Sequence, residues 1–371
     1  MKLRPKVAEH DFQTKFKGLK TFLEAGEKVK VTIMFRGREM VHQDIGRRIL
    51  DRVADDARQF AVVERAPLLE GKNLFMILAP SRAAAQAAIS DGAELVIGPL
   101  FASSVREVGK VARAAGKPVI AFSTDTSTAG QDLFLLSFLI ENYVDRIVDF
   151  AASKGKKSIA ALIPENDYGR VAETEFQQAA ARDNIRIMSI EHYQPRTMSE
   201  AVQKVAALHD QIDSLFIPEQ ADAMQAMSQT LASAGINGKQ LQILGTGLWN
   251  DARVLRLPAL QGAWFAAPEN GGFNAFAERY RAKYHADPTR IATLAYDAVS
   301  LAAALAHTQG SQRYSQNVLT NRSGFNGADG VFRFRPDGTN ERGLSVLQIN
   351  DGAAVPISQA PHSFSATASA F

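Results

Sequence analysis

The chain has 371 residues, 46% hydrophobic and 22% charged, with a formal net charge of +3. That composition excludes disorder over most of the length, together with collagen, coiled-coil and low-complexity classes, and the length implies two or three domains. There is no cysteine, which excludes a disulfide scaffold, a thiolate zinc site, an iron–sulfur cluster and a cysteine nucleophile. The longest apolar run, Leu133–Ile140, is too short to span a membrane and contains Ser137.

Charge is unevenly placed. Residues 1–80 hold 16 Lys+Arg and 11 Asp+Glu, whereas the remaining 291 hold 26 and 28. A basic small module is thus joined to a slightly acidic larger one, a footprint of nucleic-acid contact or a chance excess on a solvated face. Lys2, Arg4 and Lys6 are followed by Glu9, His10, Asp11 and Gln13, where an export signal needs an apolar core. The chain as written is therefore expected in the cytoplasm.

The first elements read βαβαββ. A short strand covers Lys2–Arg4. Phe12, Phe16, Leu19 and Leu23 make one helical stripe, with Asp11 as N-cap and Gly26 as stop, and Lys15, Lys17 and Lys20 face water. Val29, Val31, Ile33 and Phe35 alternate with polar neighbours as a half-buried strand. After a turn at Phe35–Glu39, a second helix is expected to turn Ile45, Ile49 and Val53 inward and Arg47, Arg48 and Arg52 outward. Strands at Phe60–Glu64 and Leu74–Leu78 close the unit, the latter ending at Pro80.

These residues resemble the C-terminal domain of bacterial translation initiation factor 3. The resemblance rests on Lys2-Leu3-Arg4-Pro5, Glu9-His10-Asp11, Phe22-Leu23-Glu24, Lys28–Thr32, Phe35-Arg36-Gly37-Arg38-Glu39-Met40, Leu69-Glu70-Gly71 and Met76–Pro80, in order across residues 1–81. It implies binding to the small (30S) ribosomal subunit through 16S RNA. It places RNA contacts at Arg4, Lys17, Arg36, Arg38, Arg52 and Lys72, to which the exposed Lys20, Arg47 and Arg48 are added as candidates. Arginine forks onto two phosphate oxygens at once. Lys17 and Lys72 stand where the family often has arginine, keeping charge but losing the fork, and Thr21 replaces another commonly basic position. His10 and His42 are isolated and read as surface or capping groups.

A different pattern begins at Arg82. Ala83–Ser90 is an alanine-rich helix, and Leu95–Pro99 is a buried strand ending in a turn. Ser103 and Ser104 lead into a helix over Val105–Ala115, and Lys117-Pro118 precedes the strand Val119–Phe122. Further strands at Ser158–Ile163, Ser214–Ile217 and Leu241–Leu244 alternate with helices after Asp167-Tyr168-Gly169 and from Ala221. Strands alternating with helices make parallel sheets, and the nearly continuous apolar runs suit strands covered on both faces.

This body, residues 83–360, resembles the type I periplasmic solute-binding proteins of the leucine/isoleucine/valine-binding kind, and within them the penicillin-binding-protein activators. The carrying motifs are Val96–Pro99 with Ser103 and Ser104, Pro118–Thr124, Ile163-Pro164 with Asp167-Tyr168-Gly169, Ala295-Tyr296-Asp297-Ala298, and Phe325-Asn326-Gly327 with Gly330–Phe334 and Asp337-Gly338. The resemblance implies two lobes closing on a ligand. Lobe I takes about residues 83–150 plus a late return segment, and lobe II about 151–270. Ligand candidates are Ser103, Ser104, Ser123, Thr124, Tyr168, Glu219 and Trp249. Hydroxyls and helix N-termini suit a carboxylate, and Glu219 suits an ammonium. Ser103 and Ser104 read equally as a helix cap, and Trp249 as core packing. Residues 361–371 read as a disordered tail.

The family's first strand, helix and second strand are missing ahead of Ala83, so exposed sheet edges and apolar surface are expected in lobe I. The fold class is accordingly α/β: a small βαβαββ sandwich followed by a two-lobed body without its first strands, a chimera. No HExxH, GxSxG or P-loop is present, and Gly245-Thr246-Gly247 is followed by Asn250 rather than glycine. No catalytic, metal or cofactor constellation is read, and the chain is not read as an enzyme. The leading function is ribosome binding by the small domain. The alternative is solute binding, of an amino-acid-like or cell-wall-related ligand, by the body.

Overall fold

The computed structural model describes residues 1–25, 27–36, 39–40 and 43–364. The expected helix stop at Gly26, the RNA candidate Arg38, the isolated His42 and tail residues 365–371 lie outside the described residues.

The chain opens with β1 (Lys2–Leu3), α1 (Glu9–Glu24), β2 (Val29–Met34), α2 (Gln43–Ala57), β3 (Ala61–Glu70) and β4 (Asn73–Pro80). These strands form one sheet in the order β1-β2-β4-β3, parallel only at β1–β2. There follow α3 (Ser81–Ser90), β5 (Val96–Ile97), α4 (Ala102–Ala114), β6 (Val119–Ala121) and β7 (Leu133–Leu135), whose strands make a three-stranded parallel sheet. The next stretch holds α5 (Ile140–Ser153), β8 (Ser158–Pro164), α6 (Asp167–Arg182), β9 (Arg186–Tyr193), α7 (Met198–Ala206), β10 (Ser214–Phe216), α8 (Ala221–Ser233), β11 (Gln242–Gly245), α9 (Ala252–Leu255) and β12 (Trp264–Ala267). Last come α10 (Asn270–Tyr284), α11 (Ala292–Thr308), α12 (Gln316–Leu319), β13 (Phe325–Gly327), β14 (Gly330–Phe334), β15 (Asn340–Arg342), β16 (Ser345–Asn350) and β17 (Ala353–Ser358).

Two compact units result. Unit 1 holds residues 1–137, 294–320 and 334–340; unit 2 holds residues 138–293, 321–333 and 341–371.

In unit 1, the stripe Phe12, Leu19 and Leu23 is buried, as the periodicity requires. The helix starts at Glu9, earlier than expected, because Asp11 pairs forward with Lys15 at 2.9 Å instead of capping. The buried face of α2 is Gly46, Leu50, Val53 and Ala57, one position round from the expected Ile45–Ile49 face. Gly46 sets that rotation: a Cβ there would lie 2.5 Å from the Phe35 ring, so only glycine lets the helix sit this close to the sheet. The strand β3 runs on to Glu70, beyond the expected end at Glu64, because β4 pairs with it as far as Glu70↔Asn73. Its Val62, Val63, Leu68 and Leu69 remain exposed.

The three-stranded sheet ends at β5, and the expected exposure is found there. Ile97 and Leu100 are exposed, 37% and 38%. By contrast β10, in unit 2, is buried throughout and pairs with β8 on one side and β11 on the other. Strand β5 pairs with β6, and no second partner occurs among the described residues.

Unit 2 is built on a seven-stranded sheet, β17-β16-β12-β11-β10-β8-β9. Its five strands from β9 to β12 are mutually parallel, and β16 and β17 add antiparallel. Alternate residues of β8 feed opposite cores: Ala160 and Leu162 join one cluster, Ile159, Ala161 and Ile163 the other. This two-sided burial is what the unbroken apolar run in the sequence encodes. The chain end is held as far as Phe364: Ala360 N donates to Ser345 Oγ at 2.8 Å, and the Arg333 guanidinium lies 4.5 Å from the Phe364 ring centre.

Candidate functional site

Sheet register gathers the cations of the small module. Leu3 pairs with Ile33, so Arg4 leaves β1 at the end where β2 finishes, and Arg4 Nη1 donates to Met34 O at 3.3 Å. Met34 pairs with Asn73, and Phe35 N donates to Lys72 O at 3.0 Å. Arg36 and Lys72 therefore flank one end of the sheet with Arg4. Arg47 follows Gly46, which packs on Phe35 at the same end. Among the described residues, Lys17, Arg36, Arg47 and Lys72 enter no ion pair.

Other candidates are already engaged. Arg52 grips Glu9 with its two terminal guanidinium nitrogens, Nη1 and Nη2, at 2.8 and 2.6 Å, and stacks 4.0 Å over the Phe12 ring centre. That fork holds the Glu9 carboxyl down to about 2. Arg48 pairs with Asp44, and Lys20 lies 3.7 Å from Glu24. The candidate cations therefore divide between a set without ion pairs, gathered mainly at one sheet end, and a paired set on the helices, with Arg38 outside the described residues.

The far end of the module meets the rest of unit 1. Strand β4 spans 8 residues from Asn73 to Pro80, roughly 25 Å at 3.4 Å per residue. At that end Ser103 Oγ and Ser104 Oγ both donate to Gln59 O, and Ser81 Oγ donates to Ser104 Oγ at 3.0 Å. The two serines lie within the first turn of α4, whose N-cap is Phe101 without a side-chain bond. They tie α4 to the last turn before β3, a contact between segments far apart in sequence that local pattern does not encode. Ser123 accepts from Asp125 N at 3.0 Å, shaping the following turn, and Thr124 beside it is exposed.

The remaining candidates meet in unit 2. Glu219 is buried: its Oε2 accepts from Tyr193 OH at 2.6 Å, and its Oε1 accepts from Gln220 N at 2.7 Å. Trp249 is fully buried and its Nε1 donates to Glu219 O at 3.2 Å. Tyr168 OH and Thr246 Oγ1 lie 2.7 Å apart. Burial pushes both the Tyr168 and the Tyr193 phenols upward, and the Glu219 carboxylate adds to the rise at Tyr193. The structure thus joins Glu219 to Trp249 through one backbone carbonyl and sets Tyr168, in the first turn of α6, against Thr246 just after β11.

One acidic group outside these candidates carries a pH signature. Burial, and then a hydrogen bond shared with Asp145, push the Glu175 carboxyl up to about 8, with Glu141 adding repulsion. The folded chain then holds a proton that the unfolded chain releases near its ordinary value. Stability should fall as pH rises from about 4.5 to about 8. The slope is a fraction of the ~1.4 kcal/mol per pH unit that one full proton gives, because solvent reaches the group and screens it. Glu175→Gln should flatten that slope. Denaturant midpoints at pH 5, 6.5 and 8 check it, and parallel slopes in both proteins would refute it.

Both segments have known relatives. Residues 1–81 match the family model "Translation initiation factor IF-3, C-terminal domain". Residues 79–354, most of the chain, match the model "Periplasmic binding protein". The chain belongs to the periplasmic binding protein family. Its first segment is 51% identical over 81 residues to translation initiation factor IF-3 of Anaeromyxobacter dehalogenans, covering 22% of this chain and 35% of that protein. It is 52% identical over 85 residues to that of Thermus thermophilus, covering 23% and 50%. The chain thus spans a third to a half of these relatives' length.

Among solved structures, a branched-chain amino acid ABC transporter protein from Rhodospirillum rubrum superposes with a TM-score of 0.65 at 17% identity, over 75% of this chain and 84% of that one. A substrate-binding protein from Desulfitobacterium hafniense solved with Leu gives 0.55 at 19% identity, over 75% and 84%. A solute-binding protein from Rhodopseudomonas palustris gives 0.55 at 14%, over 98% and 96%. These likenesses establish the fold of the body. The chain is a chimera of an initiation-factor-like module and a periplasmic-binding-protein body. Among the described residues no helix is long and apolar enough to cross a membrane.

Proposed function

We propose that residues 1–81 bind the small ribosomal subunit through its 16S RNA, with the remainder carried as a non-catalytic solute-binding body. The observation that carries this reading is the set Arg4, Arg36, Arg47 and Lys72 at the sheet end away from the Gln59 junction. The segment that follows the module in unit 1 docks at the other end, so the fusion leaves these cations accessible. Such a patch on a rigid sheet end is what phosphate contact requires. The 51% identity to an initiation factor supports the same assignment. Binding the ribosome places the work of the chain in the cytoplasm.

The test is co-sedimentation of the purified chain with small ribosomal subunits at 50 and 200 mM salt. Saturable binding, lost steeply with salt and competed by full-length initiation factor 3, is the expected result. Absence of binding at 50 mM salt by a soluble, folded chain would refute it.

A second reading concerns the body, and family membership favours it. A relative of this fold has been solved with Leu, and Glu219, buried in unit 2, is the group suited to an amino acid's ammonium. On this reading, millimolar leucine raises the melting temperature by a few degrees, and Glu219→Gln abolishes the rise. No shift with any branched-chain amino acid would leave RNA binding alone.

A further inference from the structure

Unit 1 contains a groove of about 950 Å³ that neither segment has by itself. One wall comes from the module, through Leu23 and Phe60; the other comes from the body, through Arg82 of α3 and Arg106, Lys110 and Arg113 of α4. The three α4 cations stand at i, i+4 and i+7, so they advance about 6 and then about 4.5 Å along one helix face. Acids are present as well: Arg106 pairs with Asp125 at 2.6 Å, Lys110 with Glu107 at 2.6 Å, and Glu24 lies 3.7 Å from Lys20. Each of these acids has its own cation. Among the described residues Arg82 and Arg113 enter no ion pair, so the groove carries uncompensated positive charge. Opposite them Phe60 presents a half-buried ring, with Lys20 Nζ 5.6 Å from its centre.

A cationic wall that tracks a backbone, facing an aromatic ring that accepts a base, is the chemistry of single-stranded nucleic-acid binding without sequence readout. The volume is ample for two or three nucleotides. We propose that this groove binds a short stretch of single-stranded RNA, with phosphates along Arg82, Arg106, Lys110 and Arg113 and a base against Phe60. Because its walls come from two segments, the site belongs to the fused chain. It is separate from the cationic sheet end, and each can fail without the other.

The experiment is fluorescence anisotropy of the full chain with 5′-fluorescein hexauridylate at 50 mM salt. Arg82→Ala with Arg113→Ala should weaken binding roughly 60-fold at that salt, the counterion release of two phosphate contacts. Arg36→Ala with Lys72→Ala should leave most of the hexauridylate affinity intact while weakening co-sedimentation with subunits. Identical isotherms for the Arg82/Arg113 variant and the unaltered chain would overturn the proposal. So would a loss of hexauridylate binding caused by the Arg36/Lys72 pair alone, which would assign the oligonucleotide to the sheet end. Equal competition by inorganic pyrophosphate and by unlabelled hexauridylate would also overturn it, reducing the groove to an anion site. Matched circular dichroism melts show that each variant is folded.

Discussion

Replacing Arg36 and Lys72 together by alanine is expected to weaken binding to the small ribosomal subunit by roughly 30–60-fold at 0.1 M salt. It should also lower the slope of log K against log salt by up to about two units, since each phosphate no longer neutralised removes roughly 0.7–0.9. Both side chains are exposed and unpaired among the described residues, and both sit where β2 ends beside the β3–β4 turn. Removing them leaves the buried face of the sheet untouched, so stability should stay within about 0.5 kcal/mol. Arg52→Ala supplies the contrast. To reach a phosphate its guanidinium must leave a two-pronged bond to Glu9 and a stacked Phe12 ring. The gain on binding RNA is reduced by that exchange, and Arg52→Ala should cost less affinity than either single substitution at the sheet end. Titration by sedimentation at four salt concentrations separates the cases. An unchanged slope in the Arg36/Lys72 variant would remove both residues from the RNA face.

The elements legible in the sequence are those that local period encodes. The stripe Phe12, Leu19 and Leu23 stands out as one buried face, and the runs Ser158–Ile163 and Ser214–Ile217 stand out as strands covered on both sides. Where structure and expectation differ, a distant contact decides the outcome. The face of α2 turns by one position because Phe35 and Ile33, on another element, press on Gly46. The length of β3 is set by its partner β4 rather than by its own alternation, which Pro67 and the register shifts interrupt. Nothing in the local spacing of Ser103 and Ser104 indicates the Gln59 carbonyl they share, some 44 residues back along the chain. The groove is illegible for the same reason: Phe60 and Arg113 face one space only after two segments have docked. The exposed edge at Ile97 is foreseeable, since absent strands leave their neighbour uncovered whatever the local sequence.

A large loss of stability is expected from a side chain at Gly169. A Cβ built there would fall 1.9 Å from Pro164 O, a main-chain atom at the end of β8 that has no side-chain freedom to withdraw. The surrounding geometry explains the close approach. Asn166 Oδ1 accepts from Gly169 N at 2.8 Å, folding the first turn of α6 back over the strand it has just left. That turn aims the helix so that Ala172, Phe176 and Ala179 are buried, with Phe176 stacked on Phe216 at 4.9 Å. Gly169→Ala must therefore lift α6 or distort the end of β8, and either loosens packing along the whole helix. The expected cost is about 3 kcal/mol, or roughly 6–12 °C in melting temperature for a unit of this size. Gly18, on the exposed face of α1, is the counter-case. A Cβ added there would meet no atom within 4 Å. Gly18→Ala should therefore stabilise the module by about 0.5–1 kcal/mol through helix propensity. The two effects can be read separately because both tryptophans of the chain, Trp249 and Trp264, lie in unit 2. Tryptophan emission should report the Gly169→Ala loss and stay unmoved by Gly18→Ala, whose gain shows in the helical circular dichroism signal. If Gly169→Ala left the emission midpoint in place, the close contact with Pro164 would not be what fixes α6 on the sheet.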